Sequence, residues 1–140
     1  MEKVREMPVK EIMTREVKFI DEDVALWEAI KRMAGENVSC LIVNKRSKHD
    51  AYGIVSRRDL IDKFVEPGVG QRNYTVGDIM NKPVVTIAPD CPVKYCAHLM
   101  KTLGYRRLPV FDGENIIGII SNSDIIRKYA ELAAGKSWKA

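Results

Sequence analysis

The chain has 140 residues, 46% hydrophobic and 30% charged, with a net charge of +4. That composition excludes a disordered tract, a collagen-like fibre and a low-complexity linker, and suits one globular domain or two small halves sharing a core. No apolar run approaches the roughly 20 residues that span a bilayer, and Met1 to Glu6 are too charged for a secretory leader. A cytoplasmic address without a membrane is therefore expected. Three cysteines at unpatterned spacings (Cys40, Cys91, Cys96) argue against a disulfide framework. The mild basic excess fits an anionic small ligand and is too weak to imply nucleic acid.

In chain order, Ile12-Met13-Thr14 leads into a short extended piece, Val17 to Ile20. Leu26, Ala29, Ile30 and Met33 stand at i, i+3, i+4 and i+7 and predict a helix with one apolar stripe. Trp27 falls beside that stripe, as a shoulder of the core or a subunit contact. Leu41-Ile42-Val43, the polar turn Asn44 to Asp50 and Gly53-Ile54-Val55 predict a hairpin. A second helix with apolar Leu60, Ile61 and Phe64 follows, and Glu66 to Gln71 reads as a linker.

The same order then recurs. Val9, Ile12, Met13, Val17, Ile20, Asp23, Met33, Leu41 and Val43 reappear 67 residues later. Past a shortened hairpin turn, Gly53, Ile54, Ser56, Asp59, Ile61 and Lys63 reappear 65 residues later. Each copy reads strand, helix, strand, strand, helix. The boundaries are 8–65 for the first copy, 66–75 for the linker, 76–130 for the second and 131–140 for a tail. A half of this size is marginal alone. Two such halves are expected to pack sheet against sheet about a pseudo-two-fold axis, so that any cleft there occurs twice.

Both copies carry the phrase Gly, two branched apolar residues, Ser, two variable residues, Asp: Gly53 to Asp59 and Gly118 to Asp124. A Ser three residues before an acid, between a strand and a helix, makes a capping box. The same geometry presents backbone N–H groups and a hydroxyl to an anion, and a carboxylate to a vicinal diol. Taken once, the phrase leaves both roles open.

Two tandem copies on this plan, each with that phrase, resemble a pair of cystathionine-β-synthase (CBS) domains, the Bateman module. Ile12-Met13-Thr14, Ile79-Met80-Asn81 and Arg107-Leu108-Pro109-Val110-Phe111-Asp112 add to the likeness, which spans about residues 8 to 130. Copy one departs by having Ser39-Cys40-Leu41-Ile42-Val43 where the family often has Arg-Leu-Pro-Val. The resemblance implies an α/β (α+β) fold and a non-catalytic sensor of adenine nucleotides: AMP first, ADP or ATP next. S-adenosylmethionine or a dinucleotide is the alternative ligand, and no resident cofactor is required. It implies one cleft from Ser56, Arg58 and Asp59 with Pro83, Val84, Val85, Tyr105, Arg106 and Arg107. The other cleft takes Ser121, Ser123 and Asp124 with Thr14, Val17, Lys18, Val38 and Ser39. The acids would hold ribose hydroxyls and the serines would touch phosphate. Val84, Val85 and Ile54, or Val17 and Ile119, would sandwich the purine. Arg106 and Arg107 would fork onto phosphate oxygens.

A homodimer and a separate regulated protein are the expected partners. A nucleic-acid-binding or purely structural module is the competing reading, although no continuous basic stripe is visible. His98 and Cys91 lack the ligand number and spacing of a zinc site. No phrase resembles a nucleophile elbow, so an enzyme is not expected.

Overall fold

The computed structural model describes residues 2–68 and 73–135. The middle of the predicted linker, and the tail beyond 135 with Trp138, lie outside the described residues. In chain order the elements are α1 (Glu2–Glu6), β1 (Phe19–Ile20), α2 (Leu26–Gly35), β2 (Cys40–Val43), β3 (Gly53–Ser56) and α3 (Arg57–Leu60). They continue with α4 (Val76–Ile79), α5 (Val93–Leu103), β4 (Arg107–Phe111), β5 (Ile116–Ser121) and α6 (Asn122–Ala134). A 3-10 turn covers Val9–Glu11, and α3 runs on as a π-helical turn over Ile61–Val65. Helix α6 thus continues past the start of the predicted tail.

The chain divides into two compact units, Lys18–Val84 and the remainder, in which the segment up to Val17 joins the segment from Val85. They are called below the Asp59 unit and the Asp124 unit.

In the Asp59 unit the sheet order is β1-β2-β3. β1 runs parallel to β2, with Phe19 opposite Ile42, and β2 runs antiparallel to β3, with Cys40 opposite Ser56. β2 is the central strand, which is why all four of its residues are buried. The stripe on α2 sets Leu26, Ala29 and Met33 against Leu41, Val43 and Val55, with Leu60, Val76 and Ile79 closing the core. Each fully buried Leu, Ile or Val contributes about 1.5–3 kcal/mol. Trp27 is 66% exposed, so it is no part of this core.

The Asp124 unit repeats the plan around β4 and β5, paired antiparallel from Arg107 opposite Ser121 to Phe111 opposite Ile116. A parallel bridge between Ile87 and Val110 stands where β1 stands in the first copy. Val93, Cys96 and Met100 of α5 pack with Leu108, Val110 and Ile120, joined by Val9 and Met13. Helix α1 packs against α5 and buries Val4 completely. Each copy's first long helix leaves through a left-handed residue, Asn37 (φ 52°) or Gly104 (φ 72°), the residue types that tolerate it best. Ile61 and Ile126, read as part of the second helices' apolar set, turn outward and are 54% and 67% exposed.

The compact units are out of phase with the sequence copies. The opening segment of copy one pairs with the strand of copy two: Thr14 and Ile119 exchange backbone hydrogen bonds of 2.8 and 2.9 Å. The opening segment of copy two does the same with copy one, Asn81 and Ile54 exchanging bonds of 2.8 and 2.9 Å. Glycine makes both approaches possible. A Cβ at Gly118 would lie 2.5 Å from Met13 Sδ and 2.9 Å from the Thr14 carbonyl oxygen. At Gly53 it would lie 3.1 Å from Met80 Sδ and 3.2 Å from the Asn81 carbonyl oxygen.

Candidate ligand sites

Each unit places one Ser-x-x-Asp phrase where a strand turns into a helix. Ser56 ends β3 and caps α3: its Oγ accepts from the Asp59 N–H at 3.1 Å, while Asp59 Oδ2 accepts from the Ser56 N–H at 2.8 Å. Ser121 ends β5 and caps α6 in the same way, at 3.1 and 2.9 Å. The capping box and the candidate diol site are therefore one construction.

The second carboxylate oxygen faces the exchanged segment. Asp59 Oδ1 accepts from Asn81 Nδ2 at 2.9 Å. Asp124 Oδ1 accepts from Thr14 Oγ1 at 3.1 Å. Asn81 and Thr14 are equivalent in the repeat, so each acid of one copy is met by the opening of the other. Beyond Asn81 the chain continues through a cis Lys82–Pro83 peptide to Val84, whose N–H donates to the Tyr52 carbonyl at 2.9 Å. This lays Pro83 and Val84 beside the start of β3, in one unit with Ile54, Ser56, Arg58 and Asp59.

The Asp124 unit holds Thr14, Val17, Ile119, Ser121, Ser123 and Asp124 together. Val85, Tyr105, Arg106 and Arg107 also belong to it, and Lys18, Val38 and Ser39 belong to the Asp59 unit. Within their own units two of these residues support the helix starts. The Arg106 carbonyl accepts from the Asn122 N–H at 2.9 Å, and the Ser39 carbonyl accepts from the Arg57 N–H at 3.0 Å. Tyr105 and Arg106 are exposed and Arg107 is half-buried, and Arg58 pairs with Asp62 at 3.4 Å.

Three contributors escaped the sequence reading. Asn81 was visible in the Ile-Met-Asn phrase but carried no assigned role. Lys63 lies four residues after Asp59 and Arg127 three after Asp124, spacings that put charges on one helix face. Lys63 Nζ donates to the Ile79 carbonyl at 3.0 Å and to Asn81 Oδ1 at 2.8 Å, and stands 3.9 Å from Asp59 Oδ1. Arg127 Nη1 donates directly to Asp124 Oδ1 at 3.0 Å.

A further ionic group anchors the exchanged segment in the Asp59 unit. Lys82 Nζ lies 2.7 Å from Asp50 Oδ2 and 2.9 Å from Glu22 Oε2, and Arg46 Nε lies 3.4 Å from Asp50. The Lys82 hydrogen bond, then the Arg46 backbone N–H, hold the Asp50 carboxyl well below the usual range. Asp50 and then Glu22 raise Lys82 above its ordinary value. Copy two has Pro89 and Asn115 at the positions of Glu22 and Asp50, so it does not repeat this group.

A shallow surface pocket in the Asp59 unit, about 260 Å³, is lined by Phe19, Ile20, Asp21, Val24, Glu28, Arg32 and Asn44, none of them a predicted site residue. Among the described residues no three His, Cys, Asp or Glu side chains gather as a metal ion would require.

The CBS-domain profile matches residues 9–66 and 76–131. A mitochondrial CBS domain-containing protein of Arabidopsis thaliana is 32% identical over 108 residues, 75% of this chain and 52% of that protein. The chain thus spans about half the length of that relative. An uncharacterised protein of Methanopyrus kandleri is 32% identical over 133 residues, 94% of this chain and 67% of its own. Among solved structures, a hexameric CBS-CP12 protein from bloom-forming cyanobacteria superposes with a TM-score of 0.82 at 35% identity, covering 94% of this chain and 76% of that one. The CBSX2 protein in complex with AMP shares the fold, with a TM-score of 0.74 at 22% identity over 90% of this chain and 98% of its own.

Proposed function

Because the chain belongs to the CBS-domain family through both of its copies, we propose that it is a non-catalytic regulatory module that binds an adenine nucleotide, AMP foremost, and passes occupancy to a separate protein. One observation carries this reading: the same carboxylate, at a strand end and facing the other copy's opening segment, occurs twice. A carboxylate oxygen turned toward that segment suits the two hydroxyls of a ribose. Pro83 and Val84, or Val17, with Ile54 or Ile119, supply apolar surface for a flat base. The AMP complex of a protein with this fold supports the choice of ligand. Phosphate is assigned to the Ser56 and Ser121 hydroxyls and to the guanidinium groups of Arg106 and Arg107, whose planar fork matches phosphate oxygens.

Isothermal titration of the full chain with adenosine, AMP, ADP, ATP, NAD and S-adenosylmethionine tests the reading. Saturable heat with AMP, reduced about tenfold or more by Asp59→Ala or Asp124→Ala, is the expected result. Arg106→Ala should weaken AMP more than adenosine. Flat traces across the panel on folded protein overturn the proposal. A preference for S-adenosylmethionine or NAD would keep the module and change its ligand.

Self-association belongs to the same reading. Trp27 is a large apolar side chain on the surface of α2, the kind of residue a subunit contact uses. Light scattering should give a dimer that Trp27→Ala weakens.

A further inference from the structure

The two acid sites are built alike but are not equally open, and one side chain makes the difference. We propose that Arg127 is an internal competitor for the Asp124 carboxylate, so that the Asp59 site fills first and the Asp124 site only after the guanidinium has swung away. The inference rests on the ligand reading above.

A carboxylate offers about four acceptor positions on its two oxygens, and a vicinal diol needs two of them. At Asp59, Oδ2 takes the Ser56 N–H and, at 2.9 Å, the Ser56 hydroxyl, while Oδ1 takes Asn81 Nδ2. The second position a diol needs is released by rotating the Ser56 hydroxyl, a neutral donor that can turn to the ligand instead. Lys63 is drawn to the Ile79 carbonyl and Asn81 Oδ1 and stays 3.9 Å from the acid.

At Asp124 the balance differs. Oδ1 already takes both the Thr14 hydroxyl at 3.1 Å and Arg127 Nη1 at 3.0 Å, and Oδ2 takes the Ser121 N–H. The guanidinium bond joins two opposite charges and is stronger than the bond from the neutral hydroxyl donor that yields at Asp59. The acid is also the more covered of the two, its side chain 5% exposed against 13% for Asp59. The copy-one counterpart of Arg127 is Asp62, which pairs with Arg58 and not with Asp59. A guanidinium bonded directly to the acid therefore exists in one copy only, while Asp59 has the longer Lys63 pair at 3.9 Å. Arg127 is itself 63% exposed, so it has solvent to move into and is not a pillar of the fold.

The test titrates adenosine, which carries no phosphate, into the full chain and into Asp59→Ala, Arg127→Gln, Asp124→Ala and Arg127→Gln/Asp124→Ala. Wild type should show a tighter and a weaker event, the tighter one lost in Asp59→Ala. Arg127→Gln should strengthen the weaker event about three- to tenfold and leave the tighter one within about twofold. In the Asp124→Ala background the Arg127 change should do nothing. Raising salt should tighten the weaker event in wild type, because it screens the ion pair, and not in Arg127→Gln. If adenosine binds but Arg127→Gln leaves the weaker event unchanged or weakens it, while melting like wild type, the competitor role is overturned and the ligand reading survives. If adenosine binds to no variant, the ligand reading falls and this inference falls with it.

Discussion

Asn81 Nδ2 donates to Asp59 Oδ1 at 2.9 Å, although Asn81 opens the second sequence copy and Asp59 closes the first. The bond ties the acid to a segment 22 residues away, so on the proposed reading a ligand at Asp59 has to share or displace it. Lys63 ties the same asparagine through its other side-chain atom, at 2.8 Å. One amide thus links Asp59, Lys63 and the start of the Asn81–Val84 segment.

Removing that amide should therefore change binding without destroying the site. Asn81→Ala leaves the Ser56–Asp59 cap whole, frees Asp59 Oδ1 and loosens the segment that carries Pro83 and Val84. We expect AMP to bind a few-fold more weakly, as the base loses a fixed wall, while Ser56→Ala lowers stability by about 0.5–2 kcal/mol through loss of the cap. Titration calorimetry and urea denaturation on the two variants separate these effects. An Asn81→Ala protein with wild-type affinity would show that the segment plays no part in the site.

The glycines at the two crossings should differ in their sensitivity. Gly118→Ala drives a methyl group against Met13 Sδ at 2.5 Å and the Thr14 carbonyl at 2.9 Å, and the backbone cannot retreat without breaking the Thr14–Ile119 pair. Overpacking of this kind costs about 1–3 kcal/mol. Gly53→Ala meets its neighbours at 3.1 Å and beyond, so its loss should be the smaller. Urea midpoints at constant m-value measure both. Equal midpoints for the two variants would contradict the geometry.

Much of this was legible before any coordinates. The spacing of Leu26, Ala29 and Met33 on α2 is local information and those side chains are buried as expected; on α5 the repeated stripe of Val93, Cys96, Ala97 and Met100 is buried except for Ala97, which is exposed. The hairpins follow from turn composition, and the capping boxes from Ser-x-x-Asp. What the letters withheld is long-range. A repeat compares residues along the chain and cannot say that Thr14 pairs with Ile119 and not with Ile54. Ile61 and Ile126 turn outward alike, one before a π-helical turn and one in a regular helix, so their exposure depends on which face of the second helix meets its core, which the apolar letters alone do not show. Arg127 went unassigned because the Ser-x-x-Asp phrase accounts for the carboxylate through its cap, although the i, i+3 spacing brings the guanidinium beside it.

Thiol chemistry offers an independent check on the core. Burial pushes the Cys96 thiol up to about 11 and raises Cys91 as well, while Cys40 and Cys96 are buried. The thiolate is the reactive form. At pH 8 the folded chain should react slowly with Ellman's reagent, and all three cysteines should titrate once urea unfolds it. Fast labelling of Cys96 in the folded chain would mean that α5 does not pack as described.

The ionic group at Lys82 predicts how stability responds to acid. Asp50 has a lowered folded pKa because Lys82 donates to it, so its contribution is complete above the unfolded value of about 3.9 and is lost as pH falls toward the folded one. Lys82 is raised, so its contribution is present below its ordinary value of 10.5 and is lost only as pH climbs through the higher folded value. Between roughly pH 5 and 10 the group is intact on both counts. Lys82→Met leaves Glu22 and Asp50 facing each other with only Arg46 nearby, at 3.5 and 3.4 Å. Asp50 then loses the donor that does most to hold its carboxyl low, so the variant starts weaker at pH 7 and then loses less on acidification than wild type does. Urea midpoints at pH 7, 4 and 2.5 should show the two curves converging at the acid end. Parallel curves would remove Lys82 as the cause of the Asp50 shift.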